Sequence, residues 1–270
     1  TFLFGVFKLI GFKNSSNIGF FLGKTLGPIF RSKSLIIKNL EKANIKGDFE
    51  KIASNVLGNY GRIFAEYVHL KNFKNDKLSK YISIEGKEYL DQIKKNKKKV
   101  IFISGHFNNF ELMAMEIEKA GINLCAIYRP LNNPFLNIIM ERIRKNYICK
   151  NQIKKGKKGT RDMLNLFKEN FSVALMIDQR VSEGKQIKFF NKLALTTTIP
   201  AQIVLKYECV IIPIYIERYN KYYFKMKINK PLKLTKNDSL EFISETLNNL
   251  LEKMIMKNPS QWIWSHNRWK

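Results

Sequence analysis

The sequence predicts an α/β protein, an α/β/α sandwich on a mostly parallel central sheet. Three observations predict it. Short apolar runs of strand length, such as Val100–Ser104 and Leu124–Tyr128, recur from about residue 81 onward. Amphipathic stretches of helical period separate them, and strands spaced by helices imply parallel pairing. The 270 residues are 45% hydrophobic and 13% aromatic, which excludes disorder. A chain this long buries roughly three quarters of its unfolded surface, so its core needs no staples.

In order, residues 2–30 are apolar and aromatic but interrupted by Lys8, Lys13 and Lys24. No uncharged run there reaches the ~20 residues that cross a bilayer. Phenylalanines beside sparse lysines suit an interfacial helix, with a buried core helix as the plainer alternative. Residues 1–30 are therefore expected to form a membrane-associated helical segment, and 31–270 the main domain. Gly19, Gly23 and Gly27 fall four apart and notch one helix face for close approach to another backbone.

Ser34–Ala43 and Phe49–His69 read as helices, the second N-capped by Asp48 after the Gly47 break. Strands follow at Tyr81–Ile84, Val100–Ser104, Leu124–Tyr128, Val173–Ile177, Ile187–Phe190, Val210–Ile216 and Tyr222–Ile228. Helices are expected over Lys87–Lys95, Glu111–Ala120, Pro134–Asn146, Thr160–Glu169, Ile199–Lys206 and Ser239–Lys257. The lysine-rich stretches 94–99 and 150–158 read as basic loops, either solvated faces or an anion-binding rim.

Charge is the unusual quantity. Lys and Arg number 48 against 22 Asp and Glu, a net +26, so an anionic partner is expected: nucleic acid, a membrane surface or a phosphorylated substrate. Abundant Lys, Asn and Ile also fit AT-rich coding, which accounts for part of the excess. Cys125, Cys149 and Cys209 are widely spaced with no CxxC pair, the pattern of reduced thiols and not of a zinc site.

Of three histidines, His106 stands apart. It follows a buried-type strand and Gly105, where open α/β sheets gather their ligands and catalytic groups. Glu111 lies five residues on, about 140° off the same face of a continuous helix, so the two meet only if 106–109 form a turn. A carboxylate on one ring nitrogen would leave the other basic, which activates a hydroxyl without a serine or cysteine nucleophile. Arg129 and Asp178 follow two further strands, so His, Glu, Arg and Asp converge on one rim. Arg129 suits a phosphate or an oxyanion. Asp178 is either a strand-end cap or a partner holding Arg129 or another cation. Thr196–Thr198 lead into a helix whose N-terminus could receive an anion. His69 reads as structural. His266, among Trp262, Trp264 and Trp269, reads as a headgroup-level anchor or a buried brace.

These residues resemble the late acyltransferases of lipid A biosynthesis, the lauroyl and myristoyl transferases. Gly105-His106-Phe107-Asn108-Asn109-Phe110-Glu111 matches that family's histidine, four residues, acid signature, with Asn108 where glycine is common and Phe110 where tryptophan is. Tyr128–Pro134, Asp178-Gln179, Phe189-Phe190 and Thr196–Thr198 match in order, and Asn258–Lys270 matches the C-terminal signature with Ser260 where glutamate is usual. The resemblance implies a glycerolipid-acyltransferase-like fold behind an N-terminal membrane helix, of which this sequence is expected to show a shortened or clipped version. It implies an enzyme at the cytoplasmic face of the inner membrane, moving an acyl chain from acyl carrier protein, or another thioester such as acyl-CoA, to a hydroxyl of an anionic lipid A precursor. His106 and Glu111 would be catalytic. Arg129, Asn108, Asp178, Gln179 and Arg180 would face substrate. No metal and no cofactor is expected, and an apolar groove should lead to the ring.

Three other readings stay open. Relatives acylate other glycolipids, aminolipids or lysophospholipids, and these motifs do not choose the acceptor. A nucleic-acid binder would explain the charge, but no recognition motif supports it. A non-catalytic membrane scaffold would leave His106 and Glu111 without a use.

Overall fold

A seven-stranded sheet lies at the centre of the computed structural model, which describes residues 2–270. Thr1, where the N-terminal segment begins, lies outside the described residues. In chain order the sheet holds β1 (Ile82–Glu85), β2 (Val100–Ser104), β3 (Leu124–Tyr128), β4 (Asn151–Lys154), β5 (Ser172–Met176), β8 (Val210–Tyr219) and β9 (Tyr223–Ile228). Their spatial order is β1-β9-β8-β2-β5-β3-β4. All neighbours are parallel except β8 and β9, which are antiparallel neighbours joined by a tight turn. All five residues of β2 are buried, so that strand is covered on both faces, as the continuous apolar run requires. The fold is the expected α/β sandwich.

The helices are α1 (Phe2–Phe30), α2 (Lys33–Lys42), α3 (Phe49–Glu66), α4 (Leu70–Lys74), α5 (Lys87–Lys95), α6 (Glu111–Lys119), α7 (Pro134–Ile143), α8 (Lys157–Lys168), α9 (Ile199–Tyr207) and α10 (Leu240–Lys257). The Asp48 carboxylate caps α3 by accepting from the Lys51 amide at 3.0 Å. A hairpin of β6 (Lys185–Phe189) and β7 (Lys192–Thr196) stands outside the main sheet. Its two-residue turn, Phe190-Asn191, has positive φ at both positions, the twist that matches a hairpin.

Three stretches differ from expectation. The 150–158 stretch is not all loop: β4 and the first residues of α8 occupy it. β4 is a lysine-bearing edge strand with Ile153 alone buried, too polar to show a strand period. β7 went unread because Ala194 and Thr196 point inward while Leu193 is exposed, inverting the apolar pattern. The helix expected over Pro134–Asn146 is α-helical only to Ile143 and continues as a π turn over Arg144–Ile148.

α1 bends sharply at Gly11, where φ is 78° and ψ 167°. Beyond the bend its glycine notch packs on α3. A Cβ on Gly19 would lie 2.5 Å from the Gly61 carbonyl oxygen, and one on Gly23 would lie 2.3 Å from that of Leu57. Phe7 and Phe12 are buried, whereas Leu9, Phe21, Ile29 and Phe30 are exposed. Among the described residues no helix is long and apolar enough to cross a membrane.

Candidate active site

The site starts from strand register. β2 and β5 are parallel neighbours with Ser104 opposite Met176. Two residues beyond each partner stand His106 and Asp178, so the sheet delivers both to one edge. Gly105 is needed between them, because a Cβ there would lie 3.2 Å from Asp178 Oδ2 and 2.9 Å from Leu251. The chain then turns through Asn108, whose φ is 42°, a conformation that glycine or asparagine adopts most readily. The turn ends where Phe110 leads into α6 at Glu111.

Asp178 is fully buried and collects three bonds. The His106 ring donates from Nδ1 to Oδ1 at 2.8 Å; the His106 backbone N–H and the Trp262 indole N–H donate to Oδ2 at 2.7 and 2.9 Å. Burial works against the carboxylate charge, but His106 and these bonds outweigh it and hold Asp178 below the ordinary value. Burial also works against a charged His106, and here again the Asp178 partner prevails, aided by the more distant Glu111 charge. The ring therefore titrates above the usual histidine value. With Nδ1 committed to Asp178, Nε2 carries the basic lone pair, and it meets no hydrogen-bonding partner among the described residues. The side chain keeps 21% of its surface exposed, with the Phe110 ring set edge-on at 4.7 Å.

Glu111 does not orient the imidazole, contrary to expectation. Its Oε1 receives the Tyr67 hydroxyl and two bonds from Arg144, from Nε at 2.9 Å and Nη2 at 2.8 Å. The π turn makes this possible by bringing Arg144 back over α6. The Glu111 carboxylate thus anchors a partly buried cation beside the histidine.

The remaining expected residues separate. Asp178 holds His106 and not Arg129. Asn108 is buried and faces inward, bonded to Gln261 and accepting from Arg218 Nε at 3.2 Å, so it shapes the turn and does not face substrate. Arg129 lies exposed on the rim with no hydrogen bond or ion pair among the described residues. Gln179 is half-buried. Arg180 bonds through its backbone N–H to His266 Nε2 at 2.9 Å and through Nε to the Lys270 carbonyl at 3.1 Å. His266 is thus part of a brace, and burial lowers its pKa. His69 is structural as expected, buried 3.0 Å from Ser15 Oγ. Thr196 is committed to the same brace: its Oγ1 accepts from buried Arg268 at 2.7 Å.

Several residues of the site escaped the sequence reading. Arg144 and Tyr67 sit in segments without a motif, and Trp262, grouped with His266 as part of an anchor or a buried brace, gives no linear sign that it donates to Asp178. A buried network lies behind the turn. Arg218 makes a two-pronged ion pair with Glu66, both bonds at 2.8 Å, and Asn109 donates to Glu66 at 3.1 Å. Ser16 of α1 donates to Glu66 at 2.7 Å, tying the N-terminal helix to the same carboxylate. Two concavities, of about 450 and 280 Å³, are lined by residues such as Pro213, Ile228, Asn123 and Ser172. The second lies at the N-terminal ends of β2, β3 and β5; His106 lines neither, so neither is the apolar groove expected at the ring.

A family model described as bacterial lipid A biosynthesis acyltransferase matches residues 2–270. Curated relatives agree at low identity. Over 266 residues the chain is 23% identical to the lipid A biosynthesis palmitoleoyltransferase of Escherichia coli K12, covering 93% of this chain and 84% of that protein. It is 20% identical over 196 residues to lipid A biosynthesis acyltransferase 2 of Shigella flexneri, covering 70% of this chain and 61% of that one. The lipid A biosynthesis lauroyltransferase of E. coli K12 is 23% identical over 207 residues, covering 72% and 63%.

Proposed function

Because the chain belongs to the bacterial lipid A biosynthesis acyltransferase family, we propose that it moves a fatty acyl group from a thioester of acyl carrier protein to a hydroxyl of a lipid A precursor at the cytoplasmic side of the inner membrane. One observation carries the chemistry: an accessible imidazole whose Nδ1 is fixed by a buried carboxylate and whose Nε2 is unpaired.

In this reading Nε2 takes the proton of the acceptor hydroxyl as that oxygen bonds to the thioester carbonyl carbon. Asp178 holds the required tautomer and stabilises the imidazolium. The tetrahedral oxyanion collapses as the carbon–sulfur bond breaks, and the imidazolium returns the proton to the departing thiolate. Arg144 is the cation assigned to the oxyanion, since Glu111 and Tyr67 use only its Nε and Nη2. Arg129, exposed on the same rim, is assigned to an acceptor phosphate. The net charge of +26 favours an acidic carrier protein and a phosphorylated lipid.

The test is mass spectrometry of purified enzyme given a panel of carrier-protein thioesters, with a lipid A precursor and a lysophospholipid as acceptors. Mass gained on the lipid A precursor supports the reading; gain on the lysophospholipid alone sinks it. His106→Ala should lower the rate by about 10²–10⁴-fold while the protein stays folded.

A further inference from the structure

We infer that α7 is an interfacial anchor that seats the catalytic rim on an anionic phospholipid surface. Helix α7 starts after the C-terminal end of β3, on the His106 rim, and runs directly into Arg144, the partner of Glu111. Its inner face is settled by contacts: Met140 and Ile143 pack on the core, while Glu141 accepts from the Tyr128 hydroxyl at 2.6 Å and from Asn137 at 2.9 Å. The opposite stripe, at i, i+3 and i+7, is Phe135, Ile138 and Arg142, continued by Lys145. Phe135 is 79% and Ile138 64% exposed, and no residue of α7 is buried. A helix with one face on its own protein and an aromatic and a branched aliphatic side chain in water has a second apolar phase to meet.

Charge identifies that phase. Residues 129–158 carry nine Lys and Arg against one acidic residue, Glu141, which is turned inward. Arg129, Arg142 and Lys145 are exposed around the apolar tip. Apolar groups at the tip of a cationic rim match the acyl and headgroup layers of an anionic bilayer. The anchor goes beyond the acyl-transfer reading, and it is measurable without any acyl donor or acceptor.

The experiment places an environment-sensitive fluorophore at Ile138→Cys in the full chain; Cys125, Cys149 and Cys209 are buried and do not compete for label. Vesicles are phosphatidylcholine alone or with phosphatidylglycerol, with or without spin-labelled lipid, and binding is measured separately by flotation. The expected result is a blue shift and lipid-borne quenching at position 138 on phosphatidylglycerol vesicles, weakened several-fold in an Arg142→Glu, Lys145→Glu background. A label at Glu169, on an exposed turn, should not respond. Vesicle-bound protein whose position-138 label stays unquenched overturns the inference. So does a label that shifts with carrier protein or with protein concentration but not with vesicles.

Discussion

Nδ1 of His106 lies 2.8 Å from Oδ1 of Asp178 because the strands that carry them are parallel and in register. Neighbouring strands lie about 4.8 Å apart, so residues two past a register pair face one another across a gap that two short side chains close. The backbone N–H of His106 bonds the same carboxylate, which fixes the strand exit and the ring together.

Asp178→Asn should therefore damage catalysis twice. The amide no longer selects the tautomer with Nε2 basic, so turnover should fall by about 10²–10⁴-fold, the range set by loss of general-base function. The lost charge also removes what holds the imidazole pKa up. In the wild type a neutral base is needed, so kcat/KM should decline as pH falls through a value above the ordinary ~6.5. In the variant that acid limb should move to lower pH. A pH–rate profile measures both effects, and an unmoved limb would show that Asp178 does not set the ring.

Glu111→Gln should behave differently, because Glu111 acts through Arg144. Its effect on the acid limb should be the smaller of the two, and its main cost should be stability. Removing one partner of a buried ion pair typically costs about 3–5 kcal/mol, and the partial exposure of Arg144 argues for the lower end. A double-mutant cycle in urea with Glu111→Gln and Arg144→Met should show the pair costing less than the sum of the singles. Additive losses would mean that the two side chains do not depend on each other.

The strands that build the site were legible because their apolar runs are long enough to show burial: β2 and β3 fall where their patterns put them, and β5 one residue earlier. The rim was legible for the same reason, since a strand end is fixed once its strand is. Pairing was not. Nothing linear says that β5 lies between β2 and β3, so nothing said that Asp178 and not Glu111 would reach the ring. Arg144 was hidden by a π turn, whose extra residue per turn breaks the helical period. The Arg218–Glu66 pair joins residues 152 apart in the chain, beyond any local signal.

Trp262→Phe tests the brace at the point where it meets the chemistry. The smaller ring keeps part of its packing on Trp264, 4.7 Å away, and loses the N–H that Asp178 Oδ2 accepts together with part of the buried indole volume. A buried carboxylate short of one donor should cost about 1–3 kcal/mol, seen as a lower urea midpoint at unchanged m-value. Loss of this bond, which favours the ionised form of Asp178, should also shrink the part of the stability that acid removes. The depressed Asp178 pKa contributes stability above its unfolded value near 4, and that contribution fades as pH falls through the folded value. In the variant the folded value should rise toward the unfolded one, so the contribution should be smaller and be exhausted at a higher pH. Coincident acid transitions for variant and wild type would remove Trp262 from this role.

A paired substitution separates helix packing from helix propensity in the N-terminal region. At Gly61 an added Cβ would lie 1.9 Å from the Gly19 carbonyl oxygen and 2.8 Å from the Gly23 backbone, so Gly61→Ala must push α1 and α3 apart. Overpacking of this kind costs about 1–3 kcal/mol, and more where backbone and not a flexible side chain must yield. The separation would also stretch the bond from Ser16 to Glu66, so Glu66 and its partner Arg218 should be disturbed as well. At Gly5 nothing lies within 4 Å of the added carbon, and the residue sits in the helix before the Gly11 bend. There alanine should stabilise by roughly 0.5–1 kcal/mol through helix propensity alone. Opposite signs in urea unfolding are expected from one substitution at two glycines of neighbouring helices. If Gly61→Ala were neutral, α1 would not be held against α3 by backbone contact, and its coupling to the histidine turn through Glu66 would fail with it.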